Sequence, residues 1–375
     1  MDFKNRFKSL YKRKRLRLLL LLPLSLALTA VAEMFPRITE QVYSTGIYRH
    51  LSGGIARATG FLPFSLAQWV LLAAVSSVLG YIAMTVVKIK RTPKKRLKIS
   101  ALALLTLLCV FSVIVFGFTV FCGLNYHRMT FAETNGIFVR PSSAEELADM
   151  CFELVKSTNE AAGNVRRDGG GVAVHSFLSY YDMAKTAATS FSELKSEYPA
   201  LSGYTPRAKP VLFSKALSLA DLVGFYFPFT FEANVNVDVL DYKIPSAMTH
   251  ELAHYKGYMR EDEANFIAYL TCRESKNEDF IYSGNMLALG YSLNALRGAD
   301  PDAYLLAMES LSTLVAADFN ANYWYWRQFE GPVAEVSGMV NDAYLRTNRQ
   351  SDGTRSYGRM VDLLLADYRD RRDIS

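Results

Sequence analysis

The chain has 375 residues, half of them hydrophobic, with a net charge of +6 and four cysteines, Cys109, Cys122, Cys151 and Cys272. Four cysteines without a CxxC pair exclude a disulfide framework, a redox dithiol and a zinc ribbon. Much of the basic charge lies in two short runs beside apolar segments, a pattern of membrane topology rather than of a nucleic-acid partner.

A basic start, residues 1–16, precedes a first apolar segment over about 17–34. A span needs about 20 apolar residues to cross the ~30 Å hydrocarbon core, so this one is just long enough. A cleaved signal peptide is its competing reading, with "LTAVA" as a loose cleavage site. Further spans are expected over about 61–87, with Trp69 as an interface anchor, and 99–124. Between them "KIKRTPKKRLK" carries seven basic residues in eleven, whereas 36–60 is expected as a loop with only Arg37, Arg49 and Arg57 against Glu40. The positive-inside rule puts the amino terminus and the basic loop in the cytoplasm. After three crossings, everything past about Tyr126 then lies outside. The expected organisation is a three-span membrane region, 17–125, followed by an extracytoplasmic domain, 126–375, long enough for its own core.

In that domain "RPSSAEELADMCFELVKSTNEAA" opens with a capping-box pattern, Ser142 with Glu145 or Ser143 with Glu146, and continues at helical spacing. "SFLSYYDMAKTAATSFSELKSEYP" reads as a second helix, and the glycines of "VRRDGGGVAVH" as a loop. "KPVLF" reads as a short strand and "FTFEANVNVDVL" as the clearest one, its polar and apolar residues alternating. From Pro245 onward nearly everything reads as helix, so the fold class is α+β, mostly helical with a small sheet.

"PSAMTHELAHYKG" predicts a helix with Pro245 in its first turn and Gly257 just past its end. His250 and His254 are four apart on it and project from one face, able to converge on one ion. Glu251 is offset by about 100° and stands where a general base would take a proton from a metal-bound water. A third ligand is expected from the next helix, "REDEANFIAYLTC". Glu261 and Asp262 suit the helix dipole. Glu263 shares the apolar face with Phe266, Ile267 and Leu270, where a carboxylate needs a cation. Glu263 is therefore the expected ligand, with Glu261 and Asp262 as alternatives.

HELAH followed by a helix reading E-A-N-x-x-A resembles the gluzincin metallopeptidases, and that resemblance implies Glu263 as the residue completing a zinc site. The wider chain resembles one bacterial family of multi-pass membrane proteins, the "domain of unknown function 3810" family. The matching stretches are "GLNYHR" (123–128), "YFPFTFEANVNVD" (226–238), the HELAH region (250–270) and "SYGRMVDLLL" (356–365). Together they imply three spans and a zincin-like domain.

Three protein ligands leave an open position, the arrangement of a catalytic zinc. The expected activity is hydrolysis of peptide bonds in a peptide or protein substrate, with Glu251 as base. Candidate substrate or oxyanion contacts are Tyr226, Arg355, Tyr357 and His175. Glu232, Asn234 and Asn236 lie on the strand read as an edge that pairs with extended substrate. "ANYWYWRQF" (321–329) is expected to pack in the core. The competing class is a non-hydrolytic sensor or assembly protein that binds a ligand through the same fold. An intact Glu251 argues against it. An HExxH inside a span is excluded by the charge between 251 and 263.

Overall fold

The computed structural model describes residues 15–348 and 359–372, so the basic start through residue 14 lies outside the described residues. Three of the described helices are long and apolar enough to cross a membrane: Arg15–Met34, Leu66–Arg91 and Pro93–Phe121. With one- and two-turn helices left unnumbered, α1 is Leu21–Met34, α2 is Arg49–Thr59, α3 is Leu66–Arg91 and α4 is Arg96–Phe121. The basic stretch expected as a loop is mostly helix. Lys88, Lys90 and Arg91 form the last turn of α3, where cations suit the negative end of the helix dipole, and only Thr92–Lys95 make the bend.

The segment expected as an outer loop is also folded. A π-helix, Thr39–Tyr48, runs into α2 and packs on the chain that follows residue 126, Tyr48 meeting Tyr226 and Tyr255. Glu40 there forms a buried two-pronged ion pair with Arg128, 2.7 Å on each prong.

The soluble half holds α5 (Ala144–Ala162), α6 (Tyr180–Leu194), α7 (Ile244–Tyr255), α8 (Glu261–Arg273), α9 (Glu278–Ala299), α10 (Pro301–Glu309), α11 (Thr313–Arg327), α12 (Pro332–Thr347) and α13 (Met360–Arg371). Ser143 caps α5 by accepting the Glu146 N–H at 3.1 Å, the second of the two predicted pairings. Met248, Leu252, Phe266, Leu270 and Leu289 put α7, α8 and α9 into one core. At about 1.5–3 kcal/mol for each fully buried side chain of this kind, that packing fixes the relation of α7 to α8. The aromatic run of α11 divides: Tyr323 and Trp324 are exposed, whereas Tyr325 and Trp326 pack on the core.

The sheet has three strands in the order β1-β3-β2. β1 (Lys209–Pro210) is parallel to β3 (Glu232–Val235), and β2 (Gly224–Phe227) is antiparallel to it, with Gly224 opposite Val235 and Phe227 opposite Glu232. The strand expected at the edge is therefore the central one, buried at all four residues. The alternation misled because its polar residues have interior partners. Glu232 pairs with Lys209 at 2.7 Å and accepts the N–H groups of Leu66 at 3.3 Å and Ala67 at 2.7 Å, the first two residues of α3. Asn234 donates to the carbonyls of Phe225 and Glu232, and Asn236 to Leu222 and Ser218. All three are turned to interior partners: Glu232 seats the sheet on the start of α3, and Asn234 and Asn236 tie β3 to β2 and the segment before it.

Candidate metal centre

The helix carrying both histidines begins and ends as its punctuation predicts. Pro245 stands in the first turn of α7, and Gly257, just past its end, has φ +91°. A Cβ at Gly257 would lie 3.1 Å from Arg128, 3.2 Å from Tyr48 and 3.3 Å from Asn125, so both conformation and space call for glycine. This turn brings α8 back against α7. The rings of His250 and His254 sit 4.7 Å apart at 89°. Glu261, the first residue of α8, faces both, with carboxylate oxygens 3.2 Å from His250 Nε2 and 3.6 Å from His254 Nε2.

The remaining ring nitrogens are also held. His250 Nδ1 lies 2.8 Å from Asn265 Oδ1, and His254 Nδ1 lies 2.8 Å from the Tyr258 carbonyl. Those oxygens accept, so each Nδ1–H donates and each ring turns Nε2 towards Glu261. Two lone pairs facing a carboxylate repel it unless a proton or a cation lies between. The three ligand atoms lie within 4.8 Å of one another. Two imidazole nitrogens, one carboxylate oxygen and an orienting partner on each ring form a donor set that fits zinc.

Glu251 has one carboxylate oxygen buried without a hydrogen-bond partner. Burial raises its pKa to about 7, an effect partly offset by His250 and His254. Burial also disfavours the charged form of His254, but the Glu261 carboxylate outweighs it and lifts that pKa to about 9. For Glu261 burial works upward and the two histidines prevail, holding it well below the usual carboxylate range. The other wall at Glu251 is backbone: a Cβ on Gly224 of β2 would lie 2.6 Å from Glu251 Oε1 and 2.8 Å from the Asn234 carbonyl.

Glu263, the expected third ligand, is turned away from the histidines. Its Oε1 accepts the Phe131 N–H at 2.7 Å and lies 3.7 Å from Arg260. The apolar-face argument for its burial holds, but an amide and a guanidinium answer that burial, and the carboxylate brought to the histidines is Glu261, two residues earlier. Tyr226 lines the cleft, its hydroxyl 2.9 Å from that of Tyr48. His175 lies away from it, 3.8 Å from Asp241. Arg355 and Tyr357 lie outside the described residues. Asn265 and Gly224 were not anticipated. Asn265 was legible in principle, since it follows Glu261 by four and shares its helix face.

The cleft has a volume of about 730 Å³ and runs from His250, Glu251 and His254 along β2 to Phe118 and Cys122 at the end of α4. Residues 43–365 match the family described as "Protein of unknown function (DUF3810)". The chain belongs to the DUF3810 family. Neither curated proteins nor solved structures gave a match. The part of this DUF3810 protein that matches its family takes in part of the π-helix, the second and third spans, the sheet and every residue of the candidate metal centre.

Proposed function

We propose that this DUF3810 protein is a membrane-anchored, zinc-dependent peptidase. One observation carries the reading: two imidazoles, each fixed through Nδ1, present Nε2 to one carboxylate beside a buried glutamate with an oxygen that has no hydrogen-bond partner. A zinc ion held by His250, His254 and Glu261 would supply a Lewis acid that polarises a carbonyl and lowers the pKa of water towards ~7. Glu251 is the proton carrier. With its pKa raised to about 7, it accepts a proton from attacking water and returns it to the leaving amine near neutral pH. β2 supplies the backbone for positioning. The Asn236 N–H bonds the Val223 carbonyl, which sets the phase of the antiparallel ladder and turns the N–H and C=O of Gly224 and Tyr226 outward. An extended substrate can pair with those groups beside Glu251. The charge bias of the spans supports a site outside the cytoplasm.

The test uses the full chain, purified in detergent or nanodiscs, with zinc content and casein cleavage measured for wild type and Glu251→Gln. The expected outcome is one zinc per chain in both and a cleavage rate ~10²–10⁴-fold lower in the variant. A variant that keeps zinc and full biological complementation would replace the peptidase reading with a binding-only role for the same site.

A further inference from the structure

The two ends of β2 sit in different surroundings. Gly224 at its start touches Glu251. Past Phe227 at its end, the chain turns through Pro228 and Phe229 onto the outer end of α4. A Cβ on Gly117 of α4 would lie 2.9 Å from the Phe229 ring, and the Phe121 ring lies 6.0 Å from Phe229 and 5.8 Å from Phe231. α4 leaves its basic end at Arg96 and Lys98. The twenty residues from Lys98 to Phe118 rise about 30 Å at 1.5 Å each, the thickness of the hydrocarbon core. Phe118 and Cys122, which line the cleft, therefore stand at the outer membrane surface. From Gly224 to Phe227 is three strand steps, roughly 10 Å. The strand leads from the candidate metal centre to the bilayer.

The wall facing β2 agrees with this direction. α12 contributes Asn341 and Tyr344 to the cleft. Tyr344 is tied to the top of α4, its ring 6.3 Å from Phe118 and its hydroxyl 2.7 Å from that of Tyr126. On the outer face of the same helix Val336, Met339 and Val340 are 54%, 64% and 65% exposed. Apolar side chains exposed on a helix that ends at the membrane surface suit the interfacial layer of the bilayer. The cleft thus has a polar, metal-binding end away from the lipid and an apolar end at the lipid.

We propose that the cleft takes an extended juxtamembrane segment of a bilayer-anchored polypeptide, laid along β2 so that the bond beside Glu251 lies a few residues from where that polypeptide leaves the membrane. This rests on the peptidase reading for the bond cleavage, though not for the binding. A soluble peptide reaches the same groups but must first find a site that opens towards lipid. An anchored one is confined to the surface on which the cleft lies, at a raised effective concentration.

The probes are a casein-derived tail joined to a single leucine-rich transmembrane helix, with spacers of different length, and the same tail without the helix. Full-length Glu251→Gln in nanodiscs, carrying photoreactive benzoylphenylalanine in place of Phe229, measures binding without turnover. We expect the anchored tail to crosslink at least ten times more than the free one, most strongly with the cleavable sequence within about six residues of the helix. Wild type should cut the anchored tail in that same window. Equal crosslinking of both tails, or a preference indifferent to spacer length, overturns the proposal. Selective crosslinking without any cleavage by wild type removes the peptidase reading and leaves the bound class of polypeptide standing.

Discussion

Buried acids in two regions of this protein are treated in opposite ways. Where the sheet and the π-helix meet the membrane region, Glu232 has Lys209 and Glu40 has Arg128, each pair closed at 2.7 Å. In the cleft, Glu261 faces Nε2 of both His250 and His254, and Glu251 keeps a buried oxygen with no hydrogen-bond partner. Interior carboxylates are costly without a cation. The acids at the sheet and the π-helix are each answered by a lysine or arginine, whereas Glu261 in the cleft is answered by two histidines, the set we propose to hold zinc.

The sharpest break in that comparison comes from removing a built-in cation. Lys209→Met leaves Glu232 charged in the interior and should cost about 3–5 kcal/mol. At roughly 2–4 °C per kcal/mol, this is a fall in melting temperature of roughly 6–20 °C. The double variant Lys209→Met with Glu232→Leu should recover most of the loss. A double variant no better than the single one would mean that the pair is not what holds the sheet.

Next comes Glu261→Ala beside Glu263→Ala. Dividing the roughly 10–16 kcal/mol of a zinc site among four ligands gives about 2.5–4 kcal/mol each, so Glu261→Ala should weaken zinc binding by ~10²–10³-fold in a competition titration. Glu263→Ala should bind zinc as wild type does while melting lower. The reverse ranking would return the third ligand to Glu263.

Asn265→Ala removes the acceptor that orients His250 and nothing from the ligand set. A loss of ~10–100-fold in zinc affinity is expected, as for an outer partner. Affinity unchanged within twofold would show that His250 needs no such restraint.

The smallest effect concerns pH in the metal-free protein. His254, raised to about 9, adds stability that is complete below its ordinary value of 6.5 and is lost as pH climbs through 9. Glu251, raised to about 7, favours the folded state while protonated, so its contribution also fades between 4.5 and 7. Glu261, held low, works in the other direction and only below 4.5. The metal-free protein should therefore melt highest near pH 5 and progressively lower towards pH 9. Zinc should restore progressively more over that range, because it competes with the His254 proton. A metal-free melting curve that rises towards pH 9 would contradict the arrangement of charges in the cleft.

The sequence carried the spans, the mostly helical soluble half and the helix of His250, Glu251 and His254, because each depends on local spacing and punctuation. It misplaced what depends on distant partners. Counting from Glu263 along α8 identified a buried face, but the amide of Phe131 that satisfies this glutamate comes from 132 residues away. Alternation in "FEANVNVD" identified a strand, but whether Glu232 and Asn234 face solvent or the interior is decided by Lys209, Leu66 and Phe225. The segment 36–60 reads as a loop between apolar segments, but its π-helix is held by Glu40 and Tyr48 against Arg128 and the end of α7.

Glu232 also joins two distant parts of the chain. It caps the start of α3, whose first residues precede it by 166 and 165 positions, so the sheet and the start of that helix form one unit. The position of β3, and with it the wall that the sheet gives the cleft, is thereby tied to the start of α3.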